Sequence, residues 1–132
     1  VADTNGLQIA GVDDLLAGYC LPSPTLAELD LSRAALMLCH NPDAMDHPIW
    51  LEYRGWILSG HTHGGQCRLP WLGPPVIPVR NRRYTSGEIR LTGDRHLYIN
   101  RGLGHTHRIR FNCRPEITVF TLQRNGTAAP HV

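Results

Sequence analysis

Lysine is absent from the sequence: all 13 basic residues are arginine, a bias that genome base composition is enough to explain. No apolar run approaches the roughly 18 residues of a membrane-crossing helix, and residues 1–11 lack the charged start and apolar centre of a signal peptide, so the chain reads as soluble. Cysteine is sparse. Cys20, Cys39, Cys67 and Cys113 never form a C-x-x-C pair, which argues against a zinc ribbon or a thioredoxin-like centre and favours free thiols in a reducing compartment. There is no G-x-x-x-x-G-K-[ST] loop, no G-x-S-x-G elbow and no G-x-G-x-x-G opening a helix. Internal repeats and low-complexity tracts are missing too.

What is present suits one ordinary domain: 132 residues, 42% of them hydrophobic, enough for a real core. The charge is divided. Residues 1–66 carry two arginines against eight acids, whereas residues 67–132 carry eleven arginines against three acids. That imbalance calls for an anionic partner of the second half. Arg80, Arg82 and Arg83 are the tightest cluster, but without interleaved aromatic and glycine motifs a nucleic-acid module is the weaker reading.

Taken in order, Leu7 to Val12 alternates as a strand and ends in Asp13-Asp14, acids expected to cap the next turn. Thr25 and Glu28 resemble a capping box opening a short helix to about Leu31, with Leu26, Leu29 and Leu31 available to the core. The continuous apolar run Ala34–Cys39 predicts a strand buried on both faces of an α/β sheet. Residues 44–55 are expected to form a partly helical crossover in which Trp50 and Trp56 pack. Trp56-Ile57-Leu58 is a second buried strand. Residues 69–78 are too proline-rich for regular structure and long enough for a functional loop or lid. Tyr84–Leu91 and His96–Asn100 flank Thr92-Gly93-Asp94-Arg95 as a hairpin. Ile117–Leu122 predicts a last strand, and residues 123–132 a tail.

The chemistry concentrates in Ser59-Gly60-His61-Thr62-His63-Gly64-Gly65-Gln66-Cys67. In an extended segment His61 and His63 point to one side and reach one pocket, with Gly60, Gly64 and Gly65 letting the backbone turn. Neutral imidazole suits zinc, iron, nickel or copper. His40 follows the preceding strand, and neighbouring strands of an α/β sheet deliver their carboxyl ends to one crevice. Three histidines and water suffice for one catalytic zinc. Two metals about 3.5 to 4 Å apart need a bridging carboxylate as well, and no spacing singles out Asp13, Asp14, Asp43 or Asp46. The glycines of Arg101-Gly102-Leu103-Gly104 permit close approach to a ligand, while His105 and His107 read as exposed loop residues.

The blocks Leu38-Cys39-His40-Asn41-Pro42-Asp43, Ser59 to Gln66, Asn100 to Gly104, and Arg110-Phe111-Asn112 with Pro115-Glu116-Ile117 resemble the carboxyl-terminal half of a calcineurin-like metallophosphoesterase, in the bacterial subgroup whose last metal motif reads G-H-T-H-G-G-Q. The resemblance runs from about Ile9 to Leu122. It implies an α/β fold, part of a β-sandwich flanked by helices, with metal ligands at strand ends. It implies two divalent ions (manganese, iron, nickel or zinc), His40 and His61 binding the second and His63 the first. A metal-bound hydroxide would attack an anionic phosphodiester or pyrophosphate, with Arg101 and Gly102 as candidates for substrate binding and no catalytic residue assigned within the chain. The family's D-x-H, G-D-x-x-D and G-N-H-[DE] blocks are absent from the sequence, which also starts without methionine. The expectation is therefore half a domain over residues 1–122, inactive alone, whose partner is an amino-terminal half. A cytoplasmic location, or one peripheral to the bacterial membrane through an upstream segment, follows. The alternative is a non-catalytic metal-binding or interaction domain that keeps the histidines without turnover.

Overall fold

The computed structural model describes residues 1–123. Its centre is a six-stranded mixed sheet, so the α/β class holds, although helix is scarce. The strands are β1 (Ala2–Thr4), β2 (Leu7–Val12), β3 (Ala35–Cys39), β4 (Gly55–Ser59), β5 (Gly87–Leu91) and β6 (Arg95–Ile99), in the order β1-β2-β3-β4-β6-β5. The four central strands run parallel, and an antiparallel hairpin closes each edge. β1 is an addition to the sequence reading. Its turn, Asn5-Gly6, has both residues at positive φ (51° and 87°), as a type I′ hairpin requires.

The register sets one row straight across the sheet: Ala10 beside Met37, Met37 beside Ile57, Ile57 beside Leu97, Leu97 beside Ile89. Met37, Ile57, Leu97 and Ile99 are fully buried there beneath Trp50, Tyr53, Met45 and Tyr84. Each large apolar side chain removed from water this way contributes about 1.5–3 kcal/mol. Trp50 and Tyr53 come from the predicted crossover, which consists of two single-turn 3₁₀ segments, Pro42–Asp46 and Pro48–Glu52. The Tyr53 hydroxyl lies 2.9 Å from the carbonyls of both Ala35 and Trp56, pinning the crossover to β3 and β4.

Three expectations need correction. The one α-helix among the described residues, α1, spans Pro22–Ala27 and not Thr25–Leu31. Proline lacks an N–H, but the first turn of a helix has no use for one, so Pro22 and Pro24 start the helix three residues before Thr25. Thr25 caps nothing and its hydroxyl instead donates to the Gly11 carbonyl at 3.4 Å; Leu29 is buried, while Leu31 is 46% exposed. β3 is buried on one face only: Met37 and Cys39 point into the core, but Leu38 is 43% exposed. Finally, residues 117–122 pair with no strand among the described residues. They keep the predicted alternation nonetheless. Thr118 and Phe120 face Tyr98 (3.0 Å from its hydroxyl, and 5.1 Å between ring centroids), while Ile117 and Val119 point outward. Of the predicted tail, residues 124–132 lie outside the described residues.

Candidate metal centre

Because β2, β3, β4 and β6 are parallel neighbours, their carboxyl ends stop along one edge. Asp13-Asp14, His40, Gly60-His61 and Asn100-Arg101 emerge there together. Pairing continues slightly past the strands: Gly60 donates to the His40 carbonyl (3.1 Å) and Asn100 to that of Ser59 (2.8 Å). The His40 and His61 rings consequently meet edge to face, with centroids 5.1 Å apart. His61 Nε2 is 2.9 Å from the Pro78 carbonyl. That contact needs the Nε2–H tautomer, which leaves Nδ1 with its lone pair, the second-shell arrangement of a metal-binding imidazole.

The backbone that carries His61 and His63 differs from expectation. His61 and His63 are not extended; both take left-handed backbone angles (φ 66° and 49°) in a tight turn. The His63 ring lies against the 102–104 loop, and a Cβ on Gly104 would stand 3.7 Å from its Cε1. Its Nδ1 is buried without a hydrogen-bond partner, a costly state for a polar atom that has no ligand. The turn is held by Thr62, whose hydroxyl accepts from Gly64 N–H (3.1 Å) and donates to the Thr85 carbonyl (2.7 Å).

The acids divide by role. Asp14 caps its turn, accepting from Leu16 (2.6 Å) and Ala17 (3.1 Å). Hydrogen bonds from Ala17 and Leu16 hold its carboxyl below the ordinary range against burial, with smaller contributions from the fields of His40 and His61. Asp43 is spent on the backbone of Arg80 and Asn81 (2.7 and 3.0 Å). Asp46 is spent on the Asn81 amide and the Tyr84 hydroxyl. Neither is left to bridge metals. Among the described residues no three His, Cys, Asp or Glu side chains converge into one ligand set. The histidines fit divalent metal as members of a set, and they do not complete one.

Arg101 and Gly102 are also at this edge. Arg101 pairs through Nε with Glu116 and lines an open cleft of about 670 Å³ with Arg110 and Arg114. The Gly102 N–H is taken by Asn100 Oδ1 (2.6 Å) and its carbonyl by Glu116 N–H (3.2 Å), so Gly102 offers closeness to a ligand and not a free donor. Three residues that hold the site together escaped the sequence reading. The Gln66 amide donates to the carbonyls of His107 and Ile109 (both 2.8 Å) and accepts from Thr106 N–H. Arg110 donates to the carbonyls of Arg101 (3.0 Å), Gly102 (3.2 Å) and His63 (3.4 Å). Glu116 gathers Tyr98, Asn100 and Arg101. Their signal was membership of the G-G-Q, R-F-N and P-E-I blocks. His105 and His107 are exposed, as expected.

No protein-family model and no solved structure matches the chain. Curated proteins do. The chain is 43% identical over 117 residues to phosphodiesterase YaeI of Escherichia coli (strain K12), covering 87% of this chain and 41% of that protein. It is 44% identical over 128 residues to the uncharacterized metallophosphoesterase YkuE of Bacillus subtilis (strain 168), covering 93% and 43%. It is 33% identical over 119 residues to the UDP-2,3-diacylglucosamine pyrophosphatase LpxG of Chlamydia trachomatis serovar D, covering 84% and 36%. The chain thus spans about two fifths of the length of these relatives. Strands that carry His40 and His61 to one edge, and relatives that share a phosphoester-cleaving name across nearly all of this sequence, lead to one assignment: the chain belongs to the calcineurin-like metallophosphoesterase family.

Proposed function

We propose that the chain supplies the histidine share of a two-metal phosphoesterase site acting on phosphodiesters or pyrophosphates. The observation that carries this reading is the His40–His61 pair at the ends of adjacent parallel strands, 5.1 Å between centroids, with His61 oriented by Pro78. His40 and His61 would hold one divalent ion, through His61 Nδ1 on the latter's side, and His63 would hold a second. Bound there, such ions supply Lewis-acid charge and a nucleophilic hydroxide. The residues of the chain do the positioning. Pro78 fixes the His61 tautomer, Arg110 and Gln66 clamp the loops around His63, and Arg101 adds positive charge beside the phosphoryl oxygens. The remaining ligands, including a bridging carboxylate, would come from a preceding segment equivalent to the part of the relatives that this chain does not cover.

The test uses the full-length protein with manganese, iron, nickel or zinc and an aryl phosphodiester. His61→Ala should abolish turnover and remove about one equivalent of bound metal in a titration, with the circular dichroism spectrum unchanged. Wild-type activity in that variant would refute the assignment. The 132-residue chain by itself should show no turnover. A non-catalytic metal-binding or interaction domain remains the second reading, favoured by the lack of a complete ligand set among the described residues; metal binding by the full-length protein without hydrolysis of any phosphoester would establish it instead.

A further inference from the structure

The proline-rich segment after the metal turn is built to display apolar side chains, not to bury them. Leu69 and Gly73 form a small antiparallel bridge, donating to each other's carbonyls at 2.9 and 3.0 Å, and Leu72 N–H donates to the Pro70 carbonyl at 2.8 Å. This closes a rigid tip. Trp71 sits on it in the left-handed region (φ 62°), a conformation bulky residues avoid unless the surroundings impose it. The result is full exposure of Trp71 (101%), with Leu72 81% and Val76 77% exposed. A soluble domain gains nothing from presenting a tryptophan and a leucine at the apex of a braced loop.

Arginines flank the tip in the sequence. Arg68 adjoins the base of the bridge, and Arg82 donates to the Pro74 carbonyl at 2.8 Å, fixing a guanidinium at the neck. Arg80 and Arg83 are exposed on the segment that follows. None of these four arginines forms an ion pair among the described residues. An exposed apolar tip with Arg82 held at its neck and arginines flanking it in sequence matches a bilayer surface: tryptophan favours the headgroup level, leucine the acyl boundary just below, and arginine the phosphates of anionic lipids. The tip is too small for a stable protein interface, which needs about 800 Å² per partner.

We infer that residues 69–76 are a monotopic anchor by which this chain docks on an anionic phospholipid bilayer. No helix among the described residues is long and apolar enough to cross a membrane. The loop also touches the candidate metal centre, through Pro78 on His61 and Pro74 packed against Gly65, and docking would set that centre at the lipid surface. The inference stands whether or not the histidines hold metal.

The experiment is sedimentation of the full-length protein with vesicles of phosphatidylcholine alone or mixed with phosphatidylglycerol, alongside quenching of tryptophan emission by brominated acyl chains. Binding is expected to the anionic vesicles, with quenching that Trp71→Phe removes, since within this chain Trp50 is fully buried and Trp56 half-buried. Trp71→Ser with Leu72→Ser should cut partitioning by about tenfold or more without altering the circular dichroism spectrum. Arg80→Gln and Arg83→Gln should each cost about fivefold at low salt and little at high salt. Failure of the wild type to bind anionic vesicles, retention of binding by the Trp71/Leu72 variant, or a lipid-independent emission shift on self-association or on binding another protein would overturn the proposal. Loss of phosphodiesterase activity in the His61 variant has no bearing on it.

Discussion

At the scale of single residues, the His61–His63 turn depends on two glycines whose replacement is costly. Gly64 and Gly65 both have positive φ (63° and 77°), which costs other residues roughly 1–2 kcal/mol. Sterics add to that unequally. A Cβ on Gly64 would meet Cys113 Sγ at 2.6 Å and Arg101 Cγ at 2.9 Å, side-chain atoms that can shift, whereas a Cβ on Gly65 would meet Pro74 Cβ at 2.2 Å, a ring with no freedom to retreat. Gly65→Ala should therefore destabilise the domain by about 2–4 kcal/mol, combining the backbone cost with that of overpacking, and Gly64→Ala by less. Urea denaturation of both variants checks the order as well as the size. Equal, small losses would mean that the 69–78 loop yields easily, which would also weaken its role as a braced anchor.

At the scale of elements, the extended segment 114–123 is tied to the sheet chiefly through one carboxylate. Burial pushes the Glu116 carboxyl up, but hydrogen bonds from Tyr98, Thr118 and Arg101 outweigh it and leave its pKa below the ordinary glutamate value. A carboxylate depressed in the folded state contributes stability that is present above its unfolded pKa, about 4.3, and lost as pH falls through the lower folded value. Between pH 7 and pH 3 the wild type should lose more stability than Glu116→Gln, and hydrogen exchange in residues 114–123 should rise in the same window. Identical pH profiles would show that the clamp is dispensable. The same segment marks what was legible in the sequence. Alternation in Ile117–Leu122 gave its two faces correctly, because side-chain direction is local, but not its pairing, because a ladder depends on a partner strand. β2, β3, β4 and the β5–β6 hairpin were readable from short apolar runs and turn residues, and so was the delivery of His40 and His61 to one edge. The missed hairpin at Asn5-Gly6 had its signal in plain view. The left-handed turn at His61 and His63 had none, since positive φ at residues other than glycine is held here by contacts distant in sequence, those of Thr62 with Thr85 and of Arg110 with the His63 carbonyl.

At the scale of the whole molecule, the sheet has one covered face and one that is largely bare. Short 3₁₀ turns and α1 roof the row through Met37, Ile57 and Leu97. The opposite row runs from Gly11 through Leu38 and Leu58 to Tyr98, and its cover among the described residues is one unpaired segment whose outward side chains, Ile117 and Val119, are 75% and 86% exposed. Unpaired extended backbone carrying apolar residues is a template for association with another chain. The 132-residue polypeptide in isolation should accordingly bind a hydrophobic dye and show concentration-dependent mass in sedimentation velocity. Replacing Ile117 and Val119 together by serine should suppress both signals while leaving secondary structure intact, because neither side chain touches the core. The Trp71/Leu72 variant separates this face from the loop: self-association that vanishes with Trp71→Ser and Leu72→Ser, and survives at residues 117 and 119, would place the adhesive surface at the loop. A monomeric, dye-silent polypeptide would show that the bare face tolerates water.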